Sequence, residues 1–397
     1  MLYAYRHEHR PVLTQARVGR WLDLTQGQVS RLERDAEPAH DLNKLVEWAR
    51  ELSIPERLLW FRLPERVVSA RQTALVASSF GWFGTSAVRG QSTRVEHGDV
   101  TSVREITVAF RKLDNRYGGG HARSMVAGYL STNVVPLLRE GRYRHEVRRE
   151  LAGAVAELGQ LAGWMAYDMG DSDAGRRHLR QSLRLCQEVG DDALTAEMLA
   201  GMSHHAAFYR EPLVATDLAR AAKNNAMRTC VPALVAESAV MEAHGLALLR
   251  DTRGCVAALG EAERAFSAGE NRDRPEWLGY FDRAYLAAKF AHCFRDLDRP
   301  VEAERYARRS LEMSEGYDRG RLFNLALLSS VLADQRRIEE ACETGSRAVA
   351  LASGVQSVRV TAYLVDVARR LAPYRADGRV RTLYDQMAAV GIPVKRG

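Results

Sequence analysis

Cysteine is scarce in this chain of 397 residues, and its placement excludes the usual structural uses of the residue. The cysteines are far apart, form no C-x-x-C pair, and have no neighbouring histidine at the spacing of a metal site. We therefore expect no metal and no disulfide framework, only small buried thiols in a reducing cytosol. The positions are Cys186, Cys230, Cys255, Cys293 and Cys342.

Long apolar runs are also missing. No stretch has the length and apolar character of a transmembrane helix, and the basic N-terminal residues are not followed by the apolar core of a signal peptide. The sequence therefore predicts a cytoplasmic protein with no membrane partner.

The motifs that carry enzyme chemistry are absent as well. There is no Gly-rich phosphate-binding loop, no G-x-S-x-G nucleophile elbow and no H-E-x-x-H metal motif. The pattern also lacks the alternation of strands and helices on which common catalytic sites are built. We therefore expect neither an enzyme nor a bound cofactor.

Lysine is the other scarce residue, since only five of the 57 basic residues are lysine. The net charge of +7 is consistent with nucleic-acid binding, although arginine-favouring codon usage would produce it too. The length, with 46% hydrophobic residues, indicates more than one domain and a large core.

Residues 14–33 carry the pattern of two short helices joined by a tight turn. Thr14 and Thr25 are each placed to cap a helix, because a hydroxyl there accepts a backbone N–H of the first turn. The apolar residues at helical spacing are Val18, Leu22, Leu24, Val29 and Leu32. In DNA-binding pairs of this kind, the second helix lies in the major groove with its N-terminal residues at base edges.

This segment resembles the helix-turn-helix of the phage-repressor (XRE/Cro) family. The positions that carry the resemblance are Gln15, Val18, Gly19, Leu24, Gln26, Val29, Ser30 and Glu33. It implies a five-helix DNA-binding domain over residues 1–65, with further helices near residues 2–5, 41–52 and 55–61. The sequence departs from the family at Gly19 and Asp23, and at Arg34 and Asp35, where a helix former, a turn glycine and a helix-ending glycine are common.

The resemblance also implies which side chains contact a double-stranded DNA operator. Those expected to face bases are Gln26, Ser30 and Arg31, and those expected to hold the phosphate backbone are Gln15, Thr25 and Gln28. Gln26 and Arg31 matter most, because Gln pairs bidentately with adenine and Arg with guanine. The alternative is a helix-turn-helix kept only for packing or dimerisation. The local charge favours DNA, since residues 1–34 hold six arginines against three acidic residues.

Residues 66–99 are rich in Gly and Ser, which predicts a linker. Trp82 and Phe83 indicate that this linker is partly docked. A helix from Asp99 to the glycines at 118–120 should follow, and then a second helix over residues 122–139. The polar residues 114–117 allow two interpretations, a functional cluster or a helix C-terminus with a glycine stop, and the second is favoured.

From residue 150 onward the sequence repeats a helix with a small central residue, a turn, and a second helix with small residues. Small residues let two antiparallel helices, and then successive pairs, approach closely. The copies recur at intervals of 40, 40, 48 and 38 residues. Their matching residues are Gly163, Gly170, Gly175, Leu179 and Ser182; Ser203, Arg210, Ala215, Ala219 and Ala222; Ala243, Arg250, Cys255, Leu259 and Ala262; Ala291, Asp298, Ala303, Ala307 and Ser310; and Ser329, Arg336, Ala341, Gly345 and Ala348.

These spacings resemble tetratricopeptide (TPR) repeats, so residues 100–397 are expected to form a TPR-like α-solenoid. A repressor-like head followed by such repeats resembles the helix-turn-helix plus TPR regulators of Gram-positive bacteria, which include receptors for signalling peptides. That resemblance implies a small-molecule or peptide effector on the concave face, and a homodimer formed through the C-terminal repeats.

The repeat register selects candidate effector-binding residues. The residue after each small central position should point inward, which gives Trp164, His204, His244, His292 and Ser330. One turn to either side adds Tyr167, Asp168, Phe208, Glu237, Tyr285 and Asn324. An aromatic groove with a few convergent polar groups is typical of ligand sites. The alternative is that the histidines are ordinary solvated groove residues.

Together these patterns predict an all-α protein with a five-helix repressor-like domain followed by a solenoid. The predicted function is a homodimeric, sequence-specific transcriptional regulator controlled by an effector, with repression favoured over activation. A TPR interaction scaffold that sequesters a protein partner is the alternative. Specific operator binding with a steep salt dependence would distinguish the two.

Overall fold

The computed structural model describes residues 12–16, 18, 24–34, 94–270, 272 and 274–394. Over these residues the chain is helical and contains no strand, as the sequence predicts. It divides into two compact units, residues 1–72 and 73–397. Within the described part, no helix is long and apolar enough to cross a membrane.

In the first unit, helix α1 (Gln26–Glu33) begins where the sequence predicts the second helix of the pair. The Thr25 hydroxyl accepts from the backbone N–H of Gln28, and the Gln28 side chain accepts from the backbone N–H of Thr25. This reciprocal capping satisfies two donors that a helix start leaves unpaired. Val18 and Val29 are fully buried, as expected.

Several expectations for this part of the chain lie outside the described residues. They concern the helices near residues 2–5, 41–52 and 55–61, the positions Gly19, Leu22, Asp23 and Asp35, and residues 66–93 of the linker with Trp82 and Phe83.

The second unit is a succession of helices. Their bounds are α2 (His97–Tyr117), α3 (Gly119–Tyr129), a π-helical turn (Leu130–Val134), α4 (Val135–Glu140), α5 (His145–Asp168), α6 (Ser172–Glu188), α7 (Asp192–Phe208), α8 (Pro212–Ala226), α9 (Pro232–Leu248), α10 (Thr252–Gly269), a 3-10 turn (Glu276–Leu278), α11 (Arg283–Asp296), α12 (Pro300–Arg309), α13 (Asp318–Asp334), α14 (Ile338–Ala352), α15 (Val358–Leu371), a 3-10 turn (Ala372–Tyr374) and α16 (Gly378–Ala389).

The helices from α5 onward form pairs in two layers. The inner layer contains α5, α7, α9, α11, α13 and α15, and each packs on the inner helix before it and on the outer helix that follows it. Helices α7, α9, α11 and α13 are buried along most of their residues, whereas outer helices such as α6 and α12 bury only one stripe. The first helix α2 packs on α5 and also on α13, so the start of the unit contacts its fifth helix pair.

The turn inside each of the first five pairs has one conformation. Its central residue has a left-handed backbone in every copy, with φ of 77°, 60°, 62°, 57° and 62° at Gly170, Arg210, Arg250, Asp298 and Arg336. In the second copy, Arg210 N–H donates to the Ala207 carbonyl and Glu211 N–H to the Ala206 carbonyl. These two hydrogen bonds end the helix, and they offset the cost of a left-handed backbone, which residues other than glycine disfavour. These five residues are the turn positions that the repeat pattern selects.

The small residues in the pairs are in direct contact. Ser203 Oγ donates to the Ala215 carbonyl at 2.7 Å, and in a later copy Ser329 Oγ donates to the Ala341 carbonyl at 2.7 Å. A Cβ added to Gly163 would lie 3.3 Å from the Gly175 carbonyl oxygen. The close approach predicted from the small residues is therefore confirmed.

A buried ion network joins α2, α5 and α13, and we call its three residues Asp114, Asp168 and Arg319 the clasp. The Arg319 guanidinium donates to both oxygens of Asp114, at 3.0 and 2.6 Å, and its Nη1 lies 3.0 Å from Asp168 Oδ2. Although burial would raise it, Arg319 and Arg359 hold the pKa of Asp168 below its ordinary value. The contact of Arg319 with Asp114 thus joins residues that lie 205 positions apart in the sequence.

The glycines after α2 add a backbone connection beside the clasp. Gln356 N–H donates to the Tyr117 carbonyl at 2.8 Å, and Gly120 N–H donates to the Gln356 carbonyl at 3.1 Å. Gly118 has φ of 84°, and a Cβ there would lie 2.5 Å from the Gln356 carbonyl oxygen. The favoured interpretation of residues 114–117 is confirmed, because α2 ends at Gly118, and Asp114 in its last turn belongs to the buried ion network.

Cysteine placement agrees with expectation at four positions. Cys186, Cys255, Cys293 and Cys342 are buried, but Cys230 is exposed, which corrects the expectation that all five are buried. It follows Thr229 in the connection between α8 and α9, where no second layer covers it.

We predict that Asp114→Asn lowers the free energy of unfolding by about 1–3 kcal/mol, because Arg319 stays buried with one carboxylate fewer. The matched control is Asp298→Asn, which removes the carboxylate of an exposed pair with Arg250 and should cost less than about 0.5 kcal/mol. Urea unfolding of the full chain measures both. Equal losses in the two variants would mean that the clasp does not hold the unit closed.

Candidate functional site

The residues expected to contact DNA lie on or beside α1. Thr25, Gln26, Gln28 and Arg31 are exposed, and Gln15 and Ser30 are half-buried. Gly27 adds no side chain between them. The N-terminal end of α1 therefore presents polar side chains to solvent.

Hydrogen bonds orient several of these side chains. Gln26 Nε2 donates to Gln15 Oε1 at 3.1 Å, and Gln15 Nε2 donates to Glu33 Oε2 at 2.7 Å. The Gln28 side chain is used in the cap of α1 and the Ser30 hydroxyl accepts from Arg34 at 2.8 Å. Gln15 thus positions Gln26 from the preceding segment, a role that the resemblance did not imply.

In the second unit, four of the predicted effector residues form one aromatic cluster on the inner layer. Ring centroids are 5.4 Å apart for Trp164 and Tyr167, 5.1 Å for Trp164 and His204, and 5.3 Å for Tyr167 and Phe208. Tyr167 is buried, whereas the other three are half-buried. The cluster forms because α5 and α7 are adjacent inner helices.

Arg359 of α15 lies against this cluster. Its guanidinium carbon is 4.6 Å from the ring centroid of Tyr167, 5.7 Å from Phe208 and 4.6 Å from Phe323. The closest carboxylate contact is 3.6 Å, between Nη1 and Asp168 Oδ1. Its Nε is buried and has no hydrogen-bond partner among the described residues. The cation is therefore held mainly by aromatic faces.

Lys289 of α11 is a second cation of this interior, with 4% of its surface exposed. Its ammonium group contacts His204 Nδ1 and lies 5.4 Å from the ring centroid of Tyr285. No carboxylate oxygen lies within 4.0 Å of the ammonium nitrogen in the part of the chain that the structure describes. Burial, and next the nearby Arg359, lowers the Lys289 pKa to about 7. Burial and Lys289 also lower the His204 pKa, so the imidazole is neutral and accepts the contact.

A pair of buried carboxyl groups lies in the same interior. Tyr280 Oη is 2.9 Å from Glu197 Oε1 and 2.5 Å from Glu237 Oε1. Burial, and then the adjacent Glu197, raises the pKa of Glu237 well above its ordinary value. Protonated Glu237 can donate to the Tyr280 oxygen while the tyrosine hydroxyl donates to Glu197. Protonation of Glu237 removes a negative charge from this interior.

The two remaining histidines stack on each other. The ring centroids of His244 and His292 are 5.8 Å apart, His244 Nε2 lies 3.4 Å from Asp296 Oδ2, and His292 Nε2 is 3.3 Å from the Tyr363 hydroxyl. Burial lowers the pKa of both imidazoles. Over the described residues, no group of three metal-ligating side chains comes together.

Asn324 and Ser330 do not join this interior site, which corrects the expectation for both. Asn324 Nδ2 donates to the Ser310 carbonyl at 2.8 Å, and Ser330 Oγ donates to the Leu327 carbonyl at 2.7 Å. A polar side chain on a buried helix face bonds to whatever backbone carbonyl is in reach, and here that carbonyl lies within the α12–α13 region. Asp168 belongs to the clasp.

Sequence reasoning missed four residues of the site, Lys289, Arg359, Glu197 and Tyr280. Lys289 carried a signal, because it is one of five lysines and lies in the middle of the otherwise uncharged stretch of residues 284–291. Arg359 carried none, since it lies beyond the last assigned repeat copy.

No known protein family matches the sequence, and no curated protein is significantly similar to it.

We predict that Lys289→Met raises the free energy of unfolding by about 1–3 kcal/mol at pH 6, because a buried ammonium without a carboxylate partner is removed. The folded-state pKa is depressed from 10.5 to about 7, so the cost of this lysine is complete below pH 7 and fades as pH rises toward 10.5. The gain should therefore shrink between pH 6 and pH 9. Lys112→Met, at an exposed position of α2, is the control and should show neither effect. Urea titrations at the two pH values measure this, and a loss of stability at pH 6 would contradict it.

Proposed function

We propose that this protein is a sequence-specific, DNA-binding transcriptional regulator, and that a ligand in the interior of its helical array controls it. The observation that carries the proposal is the capped helix α1, which presents Gln26 and Arg31 to solvent while Gln15 orients the Gln26 amide. An ordered amide at the start of a helix, with an exposed arginine in its last turn, suits base-edge recognition in a major groove.

The second unit supports the regulatory half of the proposal. Its helix pairs share one left-handed turn conformation and direct contact at small residues, which suits a TPR-like solenoid. The inner layer contains buried charged groups, among them Lys289 and Arg359, and burying a charge without a close carboxylate partner costs stability. Such groups are typical of binding sites, where function outweighs stability.

The proposed DNA binding also implies a homodimer. One small head makes too few contacts for tight specific binding, whereas two heads on a pseudo-palindromic site double them. We propose that the second unit joins the two copies and that the regulator acts as a repressor, because a bound head blocks access to the DNA that it covers.

We predict that DNA selected by the full chain from a random duplex library contains two related half-sites. On that DNA, Gln26→Ala and Arg31→Ala should each weaken binding by about 1–3 kcal/mol, because each removes a bidentate base contact. Electrophoretic mobility shifts over a range of salt concentrations measure the affinity.

The controls for these variants are Gln187→Ala and Arg184→Ala, which make the same changes on exposed positions of α6. They should leave the affinity unchanged. Selection of no consensus sequence would reject DNA recognition and favour the interaction scaffold. Equal binding by wild type and the Gln26/Arg31 double variant would reject the assignment of these two residues to base contacts.

A further inference from the structure

The inner layer of helices brings an aromatic cluster into contact with two buried cations. Trp164, His204 and Phe208 are half-buried, whereas Lys289, which contacts His204, and Arg359, which contacts Phe208, are more than nine-tenths buried. Aromatic rings such as those of Trp164 and Phe208 attract a flat group through their faces and edges. A ligand that reaches these rings would lie near two cations.

The surroundings of Lys289 and Arg359 favour a negatively charged ligand. Arg359 Nε is buried and unpartnered among the described residues, and its only carboxylate neighbour, Asp168, is shared with Arg319. Lys289 contacts a neutral imidazole and no carboxylate of the described chain within 4.0 Å. Burial and Glu197 raise the pKa of Glu237 well above its ordinary value, so a protonated Glu237 repels an anion less than a carboxylate would. An anion near the two cations would supply the acceptor that Arg359 Nε lacks and the opposite charge that Lys289 lacks.

The inner helices argue against an extended peptide as the occupant. Side-chain amides are among the groups that pair with both the N–H and the C=O of a peptide backbone, and inner helices α5 to α15 carry only Gln160 and Asn324. Gln160 bonds to Glu197 at 2.5 Å and Asn324 bonds to the Ser310 carbonyl at 2.8 Å. Neither amide is available, whereas a compact ligand needs only the cations and the rings.

We propose that the interior binds a small organic acid, whose carboxylate or phosphate lies between Lys289 and Arg359 and whose flat apolar part stacks on Trp164 and Phe208. The inference rests on the proposed function only in taking this acid as the regulatory effector.

The test is isothermal titration calorimetry of the full chain with benzoate and phenyl phosphate, and with benzamide as the uncharged counterpart of benzoate. At least one of the two anions should bind saturably at one site per chain, and benzamide should bind at least tenfold more weakly. The relative strength of benzoate and phenyl phosphate then shows which acidic group the site prefers. Trp164→Phe should abolish any quenching of tryptophan fluorescence that accompanies binding.

Matched variants locate the site. Lys289→Met should weaken anion binding at least tenfold, and Arg359→Met should do the same if it folds, as judged by circular dichroism. The same changes at exposed positions, Lys112→Met on α2 and Arg305→Met on α12, should have no effect. Lys289→Met is expected to fold stably, so the test remains decisive even if Arg359→Met does not fold.

Binding of neither anion, or equal anion binding by Lys289→Met and wild type, would overturn the proposal. Lys289-dependent binding of a hexapeptide mixture in place of both anions would show that the occupant is a peptide, and would overturn it too. The assay contains no DNA. Anion binding without operator binding would therefore reject the proposed regulator and retain the acid site, and operator binding without anion binding would do the reverse.

Discussion

The interaction on which the second unit depends is the buried pairing of Arg319 with Asp114 and Asp168. It fixes α13 against α2 and α5, and the backbone bonds between Gln356 and the residues around Gly118 reinforce it. A succession of helix pairs has no intrinsic reason to bring its ends together, because each pair contacts only its neighbours. The clasp supplies that reason for α2, α5 and α13.

Closure changes the chemistry of every polar group on the inner layer. A lysine on an open, wet groove would keep its ordinary pKa, whereas burial beside Arg359 lowers the pKa of Lys289 to about 7. Burial, and then the adjacent Glu197, raises the pKa of Glu237, and burial lowers the pKa of His244 and His292, so both imidazoles are neutral. The fold therefore carries charges at a cost to its stability, and a ligand of opposite charge would recover part of that cost.

The features that could be predicted from the sequence are those that depend on residues close together in the chain. The turn residues Arg210 and Asp298 and the small residues Ser203 and Ala215 could be placed because their roles repeat at nearly constant spacing. Most of the aromatic and histidine residues of the interior followed from the same register. The clasp could not be predicted, because its partners lie 205 residues apart and meet only through the accumulated rotation of five helix pairs. Arg359 was missed for the same reason, and Asn324 was misplaced because its alternative partner, the Ser310 carbonyl, lies in a connection of irregular length.

The central claim is that closure places Lys289 in a dry interior that only an anion can complete. With five lysines in the chain, an NMR pH titration of ¹³C-labelled lysine side chains resolves each ammonium group, and the signal absent from Lys289→Met identifies the one of interest. The account predicts a pKa of about 7 for that signal in the free protein. A value near the ordinary 10.5 would show that Lys289 is solvated, and would contradict the closed interior.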